Sequence, residues 1–300
     1  MKQIKKIDIH AHVSLHMEYE FPEYFNNSIE NQLAVYDTLD IEKGILLPLV
    51  SIEAQPQVIP NGDTCYLAKT HPDRFYWFCN VDPRAWKNST TADLGRLLSF
   101  YKELGAKGMG ELTANLYADD PMIDNLFAYC QELNLPVTIH IAPQQYGCYG
   151  IIDEVGLPRI DKILTKYPQL KILGHSQPFW AEISADVTQE TRGTYPAGKV
   201  REGNLARLLR NHENLYCDMS AFSCCNAMTR DPEYAYRFIE EFGTRMMYAI
   251  DLCLPDDRQP KMLASFLDNA YADGYISEKS YYGICRGNAI RVLKLDDLTE

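Results

Sequence analysis

The chain has no stretch approaching about 18 consecutive apolar residues, which removes any candidate for a membrane-crossing helix. Its opening residues, Met1-Lys-Gln-Ile-Lys-Lys, run straight into a β-rich segment without the apolar core of a signal peptide, so a cytoplasmic location is expected. Basic residues are scarce: 29 Lys and Arg face 41 Asp and Glu, for a formal charge of −12. That balance argues against nucleic acid as a partner, because a phosphate backbone demands clustered positive charge. It does not exclude a small anionic substrate, since arginines gathered in a pocket can outweigh the global field. The nine cysteines include no C-x-x-C pair, and an odd number scattered through apolar segments suits a reducing compartment better than a disulfide framework. No glycine-rich turn follows the first apolar segment, which disfavours an open doubly wound sheet. No low-complexity tract or linker cuts the chain, so one domain over residues 1–300 is expected.

What the sequence does contain is a repeated alternation of short apolar, β-rich runs with longer helical patterns. Strands are expected over 4–12, 44–48, 75–81, 106–111, 137–141, 171–175, 215–219 and 246–251. Most are nearly continuous hydrophobics, such as Ile45-Leu46-Leu47 and Met246-Met247-Tyr248-Ala249-Ile250, as parallel strands buried on both faces must be. Between them, Asp120-Pro121 opens a helix over 122–133, Asp231-Pro232 opens one over 233–242, and Ser277 opens one over 278–293. Eight strand-then-helix units in a chain of this length predict an α/β fold of the (β/α)8 TIM-barrel type. The longest irregular stretches, 13–27, 143–156 and 177–198, each follow a strand and so belong on the catalytic rim.

The strongest functional signal is positional. His10 and His12 close the first strand, Glu111 the fourth, His140 the fifth, His175 the sixth and Asp251 the eighth. Barrel enzymes build their sites at that end. A single buried histidine is more often a hydrogen-bonded core residue than a ligand. Scattered core histidines, however, would have no reason to collect at strand ends. His10 and His12, two apart, point to one side of a strand and can grip one ion. Histidine with carboxylate suits zinc first, with manganese or iron as alternatives. His71 and His212 fall between a helix and the next strand, on the opposite rim, and His16 lies in a rim loop; none of the three is assigned to the site.

These motifs carry a resemblance. Ile7-Asp8-Ile9-His10-Ala11-His12 resembles the first-strand motif of the amidohydrolase superfamily, as do His140, Gly174-His175-Ser176 and Asp251 on later strands. Pro72-Asp73-Arg74-Phe75, Val81-Asp82-Pro83, Asn214-Leu-Tyr-Cys-Asp218-Met-Ser220 and Gly287-Asn288-Ala289 resemble the branch that contains aminocarboxymuconate semialdehyde decarboxylase and related TIM-barrel hydrolases. Gly108-Met109-Gly110-Glu111 is similar to the glutamate-bearing strand of TatD-type hydrolases, and no lysine stands there to bridge two metals. The resemblance implies a divalent metal held by His10, His12, Glu111, His140 and Asp251, with Asp251 and His175 as proton-handling residues.

The expected activity is a metal-dependent hydrolase that drives activated water into a small carboxylated or cyclic substrate, a lactone or amide. A nonoxidative decarboxylase of an aromatic or muconate-like acid is the alternative. A TatD-like nuclease conflicts with the acidic balance, and a catalytically inactive metal-holding barrel has no need of both His175 and Asp251. The expected partner is a small molecule, with no nucleic acid or membrane; a homo-oligomer stays open. In the rim loops, Tyr146, Tyr149, Phe179, Trp180 and Tyr195 are candidates for packing a substrate ring, and Arg192, Arg230 and Arg258 for clamping a carboxylate.

Overall fold

Strands buried on both faces need partners on both edges, and a ring provides them without leaving an edge exposed. The computed structural model describes residues 4–16 and 27–298; most of the rim loop expected over 13–27 lies outside the described residues. Strand β1 (Lys6–Ala11) pairs in parallel with β2 (Ile41–Leu46), and β2 with β3 (Phe75–Trp77). Strand β4 (Met109–Leu112) pairs with β5 (Val137–Ala142), which also carries the two-residue β6 (Ile151–Ile152) from its own rim loop. Strands β7 (Ile172–His175), β8 (Leu215–Asp218) and β9 (Met246–Met247) continue the parallel order β5-β7-β8-β9.

Two seams complete the circle. At the first, the Cys79 amide donates to the Gly108 carbonyl at 3.0 Å and the Gly110 amide to Cys79 at 2.8 Å. At the second, the Ile9 amide donates to the Tyr248 carbonyl at 3.2 Å and the Asp251 amide to His10 at 3.0 Å. The result is an eight-stranded TIM barrel with all expected strands present, several trimmed at their ends. The run over 75–81 is a regular strand only to Trp77, since beyond it Cys79 makes a single bridge to Met109. Among the described residues no helix is long and apolar enough to cross a membrane.

The helix signals act as expected at two of three places. Asp120 accepts from the Met122 amide and Ser277 from the Ser280 amide, each satisfying a donor that the helix cannot. Asp231 does not cap its helix, because its carboxylate is taken by the Val200 amide at 2.8 Å and by Lys199 at 3.2 Å. The last segment is α-helical over Glu278–Tyr282 and Asn288–Leu293 with a π-turn between. Asn288 and Asn214 are structural: each uses its side-chain amide to satisfy buried carbonyls, of Gly243 and Met246 for Asn288, and of Leu164, Tyr167 and Leu170 for Asn214.

One irregularity positions the site. Along β1 the pairing passes from Asp8↔Gly44 to Ala11↔Leu46, so β1 spends one residue more than β2 over that interval. Such a bulge reverses the in–out alternation. Ile7 and Ile9 pack inside the barrel with Ile45, Phe78, Leu173 and Met247, while Ala11 joins the outer layer beneath the helices. The extra residue lets His10 and His12 face inward above Ile9. Strand β4 has the same feature between Met109 and Leu112, around Glu111.

Behind His10, the buried carboxylate of Asp8 accepts from the amides of His10 (2.9 Å) and Ile250 (3.1 Å) and from the Tyr36 hydroxyl (2.7 Å). Burial pushes its carboxyl up to about 7. This one side chain ties β1 to the segment after β9 and to the helix Ile29–Thr38. Tyr36 reaches it only because Gly44 has no side chain: a Cβ there would lie 1.8 Å from the hydroxyl. Gly44→Ala should therefore displace Tyr36 and lower unfolding free energy by about 1–3 kcal/mol, read from urea midpoints; unchanged stability would show that this contact is slack.

Candidate metal centre

The inward residues of the strand ends converge above the apolar barrel interior. His10 Nε2 and His12 Nε2 lie 3.0 Å apart. His10 Nδ1 is 2.7 Å from Asp218 Oδ2, and His12 Nδ1 is 2.9 Å from the Leu47 carbonyl oxygen. That oxygen can only accept, so His12 carries its proton on Nδ1. Burial opposes charge on Asp218, but His10 outweighs it and keeps the carboxyl below its usual range, so His10 Nδ1 also donates. Both rings, when neutral, then present lone pairs to each other across 3.0 Å. A positive charge between them, a shared proton or a metal ion, relieves that opposition.

The surroundings supply the complementary charge. Glu111 Oε2 lies 3.3 Å from His12 Nε2 and 3.7 Å from His10 Nε2, and Asp251 Oδ1 lies 3.7 and 3.8 Å from the same atoms. A tetrahedral zinc with bonds of about 2.0–2.1 Å spaces its donors about 3.3 Å apart, and the observed separations bracket that value. Burial opposes charge on Glu111, yet the imidazoles of His140, His10 and His12 outweigh it and hold the carboxyl well below the carboxylate range. Burial also opposes protonation of His10, but Asp218 and Asp251 overcome it and raise its basicity well above the usual value. Both shifts express one demand for positive charge at this point, which a divalent ion held by His10, His12 and Glu111 would answer, with Asp251 beside the two histidines. The residues present therefore fit a metal.

The expected residues all reach this region, by different routes. His140 Nδ1 meets Glu111 Oε1 at 2.7 Å, so His140 joins the centre through the outer oxygen of that carboxylate. His175 Nε2 faces Glu111 Oε1 at 3.7 Å and Asp251 Oδ2 at 3.6 Å, and its Nδ1 is 2.7 Å from the Ser220 hydroxyl. Burial, reinforced by His10, pushes its imidazole down to about 4. Ser176, Ala221 and Asp251, all at the rim, hold left-handed φ of 102°, 60° and 50°, the kind of strain that gathers at functional sites.

Several contributors were not selected from sequence. Asp218 closes β8 as His175 closes β7, so the strand-end rule finds it once carboxylates on every strand are counted. Ser220 and Asn80 carry no such signal; Asn80 pins the Glu111 backbone by donating to its carbonyl at 2.6 Å. His71 and His212 stay away from the centre, His71 against Leu67 and His212 against Asp161.

A cavity of about 600 Å³ opens beside the centre, with His140 in its wall. Of the loop aromatics, Tyr149 lines it and its ring lies 4.6 Å from that of His140. Phe179 and Trp180 are instead buried structural groups: Phe179 packs over Gly174 and Trp180 Nε1 donates to the Asp218 carbonyl at 3.0 Å. Tyr146 and Tyr195 are exposed.

Comparison with known proteins places this arrangement. Among solved structures, an amidohydrolase from Burkholderia multivorans with bound zinc is 13% identical, with a TM-score of 0.64 over 97% of this chain and 100% of that one. The 5-carboxyvanillate decarboxylase of Sphingomonas paucimobilis is 16% identical, with a TM-score of 0.62 over 97% and 99%. A probable 2-pyrone-4,6-dicarboxylic acid hydrolase from Acinetobacter baumannii is 14% identical, with a TM-score of 0.61 over 97% and 100%. At such identities these likenesses speak to the fold. Among curated proteins, none matches in sequence. The family model described as amidohydrolase matches residues 7–295, and the chain belongs to that family.

Proposed function

We propose that this protein is a metal-dependent hydrolase of a small carbonyl compound, a cyclic or carboxylated lactone or amide. The observation that carries this reading is the pair of opposed imidazole nitrogens, His10 Nε2 and His12 Nε2 at 3.0 Å, flanked by Glu111 and Asp251. Those four residues would hold the ion, zinc first and manganese or iron next, while His140, expected from sequence as a fifth ligand, would act through Glu111. His140 orients Glu111 from its outer oxygen, and Asp218 and the Leu47 carbonyl orient the two histidines. A divalent ion there supplies Lewis acidity, which polarises a carbonyl and makes water acidic enough to attack near neutral pH.

The chain's own residues move the proton. Asp251 turns Oδ1 to the histidine pair and Oδ2 to His175, so it can take a proton from the attacking water and release it across the site. His175 faces two carboxylates with Nε2, an arrangement that favours the tautomer with Nε2–H and a Ser220 hydroxyl donating to Nδ1. That N–H can polarise the substrate carbonyl or return the proton to the leaving group. The same parts serve a decarboxylase, the reading favoured by likeness to 5-carboxyvanillate decarboxylase; carbon dioxide released from aromatic acids would select it.

Three outcomes are expected. Chelation should abolish turnover of lactones and amides, and zinc or manganese should restore it; full activity in metal-stripped protein contradicts the assignment. Glu111→Gln should weaken metal affinity roughly ten- to a hundredfold by equilibrium dialysis. His175→Asn should lower kcat by about a hundredfold or more while bound metal stays near the wild-type level; lost metal would make His175 a ligand.

A further inference from the structure

A pocket that receives an anionic substrate needs a cation or a set of donors to replace the water stripped from the charge. Sequence alone leaves open that rim arginines provide one, and their placement is decisive. Among the described residues that line the 600 Å³ cavity, none is lysine or arginine. Its polar wall consists of Glu53, Gln57, Gln177, Cys148, the Tyr149 phenol and His140.

The rim cations lie outside the cavity wall, most of them on carboxylates. Arg84 grips both oxygens of Glu53 at 2.8 Å and also Asp82 at 2.7 Å. Two carboxylates on one guanidinium leave that cluster with a formal charge of −1. Arg192 is wholly buried behind the wall and donates through Nη1 to the Asp153 carbonyl, with Nε and Nη2 left without hydrogen-bond partners. Arg230 lies in the wall of a separate small pocket with Trp180, Tyr195 and Asn226, away from this cavity. Lys199 pairs with Asp231 and Glu233, Arg201 with Asp186, and Arg258 with Asp256.

We propose that this cavity selects an uncharged ring substrate, a neutral lactone or cyclic amide, and rejects one that carries a carboxylate away from its reacting carbonyl. The proposal rests on the hydrolytic reading above and narrows its substrate class. A carboxylate in the cavity loses hydration, meets the negative Glu53–Arg84–Asp82 cluster and finds no cation in the lining. A neutral ring instead packs against Tyr149, Pro56 and Pro143 and meets the amides of Gln57 and Gln177, a mixed wall of apolar faces and uncharged donors. The metal can satisfy negative charge only at the reacting end.

The test is equilibrium binding of a matched pair, phthalide and phthalide-5-carboxylate, to the zinc-loaded protein by calorimetry, with hydrolysis followed in parallel. Phthalide should bind at least about tenfold more tightly, and raising the salt from about 20 to about 500 mM should narrow the gap by screening the repulsion. Cys148→Arg, which puts a cation on the cavity wall, should tighten the carboxylate about tenfold and leave phthalide within about twofold; Gln177→Arg serves if that variant fails to fold. A wild-type protein that binds the carboxylate as tightly as phthalide, or binds neither, overturns the proposal. Phthalide bound with the expected preference but not hydrolysed leaves the charge selection standing and sinks the hydrolytic reading.

Discussion

Two imidazole nitrogens face each other at 3.0 Å with their protons committed on the far side of each ring, and the barrel's rim is arranged around that opposition. Asp218 and the Leu47 carbonyl fix which nitrogen of each ring is bare. Glu111 and Asp251 bring negative charge to the same point, and His140 and Asn80 keep Glu111 aimed at it. Without positive charge at that point the arrangement would be a cluster of repelling lone pairs and buried carboxylates, costly in a low-dielectric interior, which is why His10 is held so basic. With a cation there, each of these groups gains its partner. The high basicity of His10, the acidity of Glu111 and the fitness of the site for a metal have a single cause.

The fold makes this possible through small departures from regularity. A regular strand would have placed Ile9 and His10 on opposite faces; the bulge in β1 lets both face the interior, so an apolar floor lies directly beneath a polar site. The matching bulge in β4 does the same for Glu111. Asp8 then locks the bulged strand to the closing seam through the His10 and Ile250 amides, with Tyr36 behind it. Histidine position is thus over-determined by backbone hydrogen bonds on one side and ring hydrogen bonds on the other.

Much of this was legible in the sequence because parallel barrels write a strong signal: eight apolar runs, five of them closed by a histidine or carboxylate. His10, His12, Glu111, His140, His175 and Asp251 all stand out against hydrophobic neighbours, and the structure brings them together. What was not legible depends on contacts between distant segments. Ser220 meets His175 across 45 positions, and Asn80 meets Glu111 across 31, with no local pattern to announce either. Phe179 and Trp180 look like substrate-facing aromatics in a loop sequence, yet they fold inward as packing under the rim. The rim arginines look like carboxylate clamps, but whether a guanidinium faces a ligand or a neighbouring aspartate is settled only by tertiary placement.

The central claim is that His10 and His12 share one cation with Glu111 and Asp251. X-ray absorption at the metal edge of the zinc-loaded protein tests it most directly. The account predicts a shell of nitrogen and oxygen scatterers at about 2.0–2.1 Å with the outer-shell pattern of two imidazoles, lost in a His10→Ala, His12→Ala variant. A shell dominated by sulfur at about 2.3 Å, or one with no imidazole signature, would contradict it.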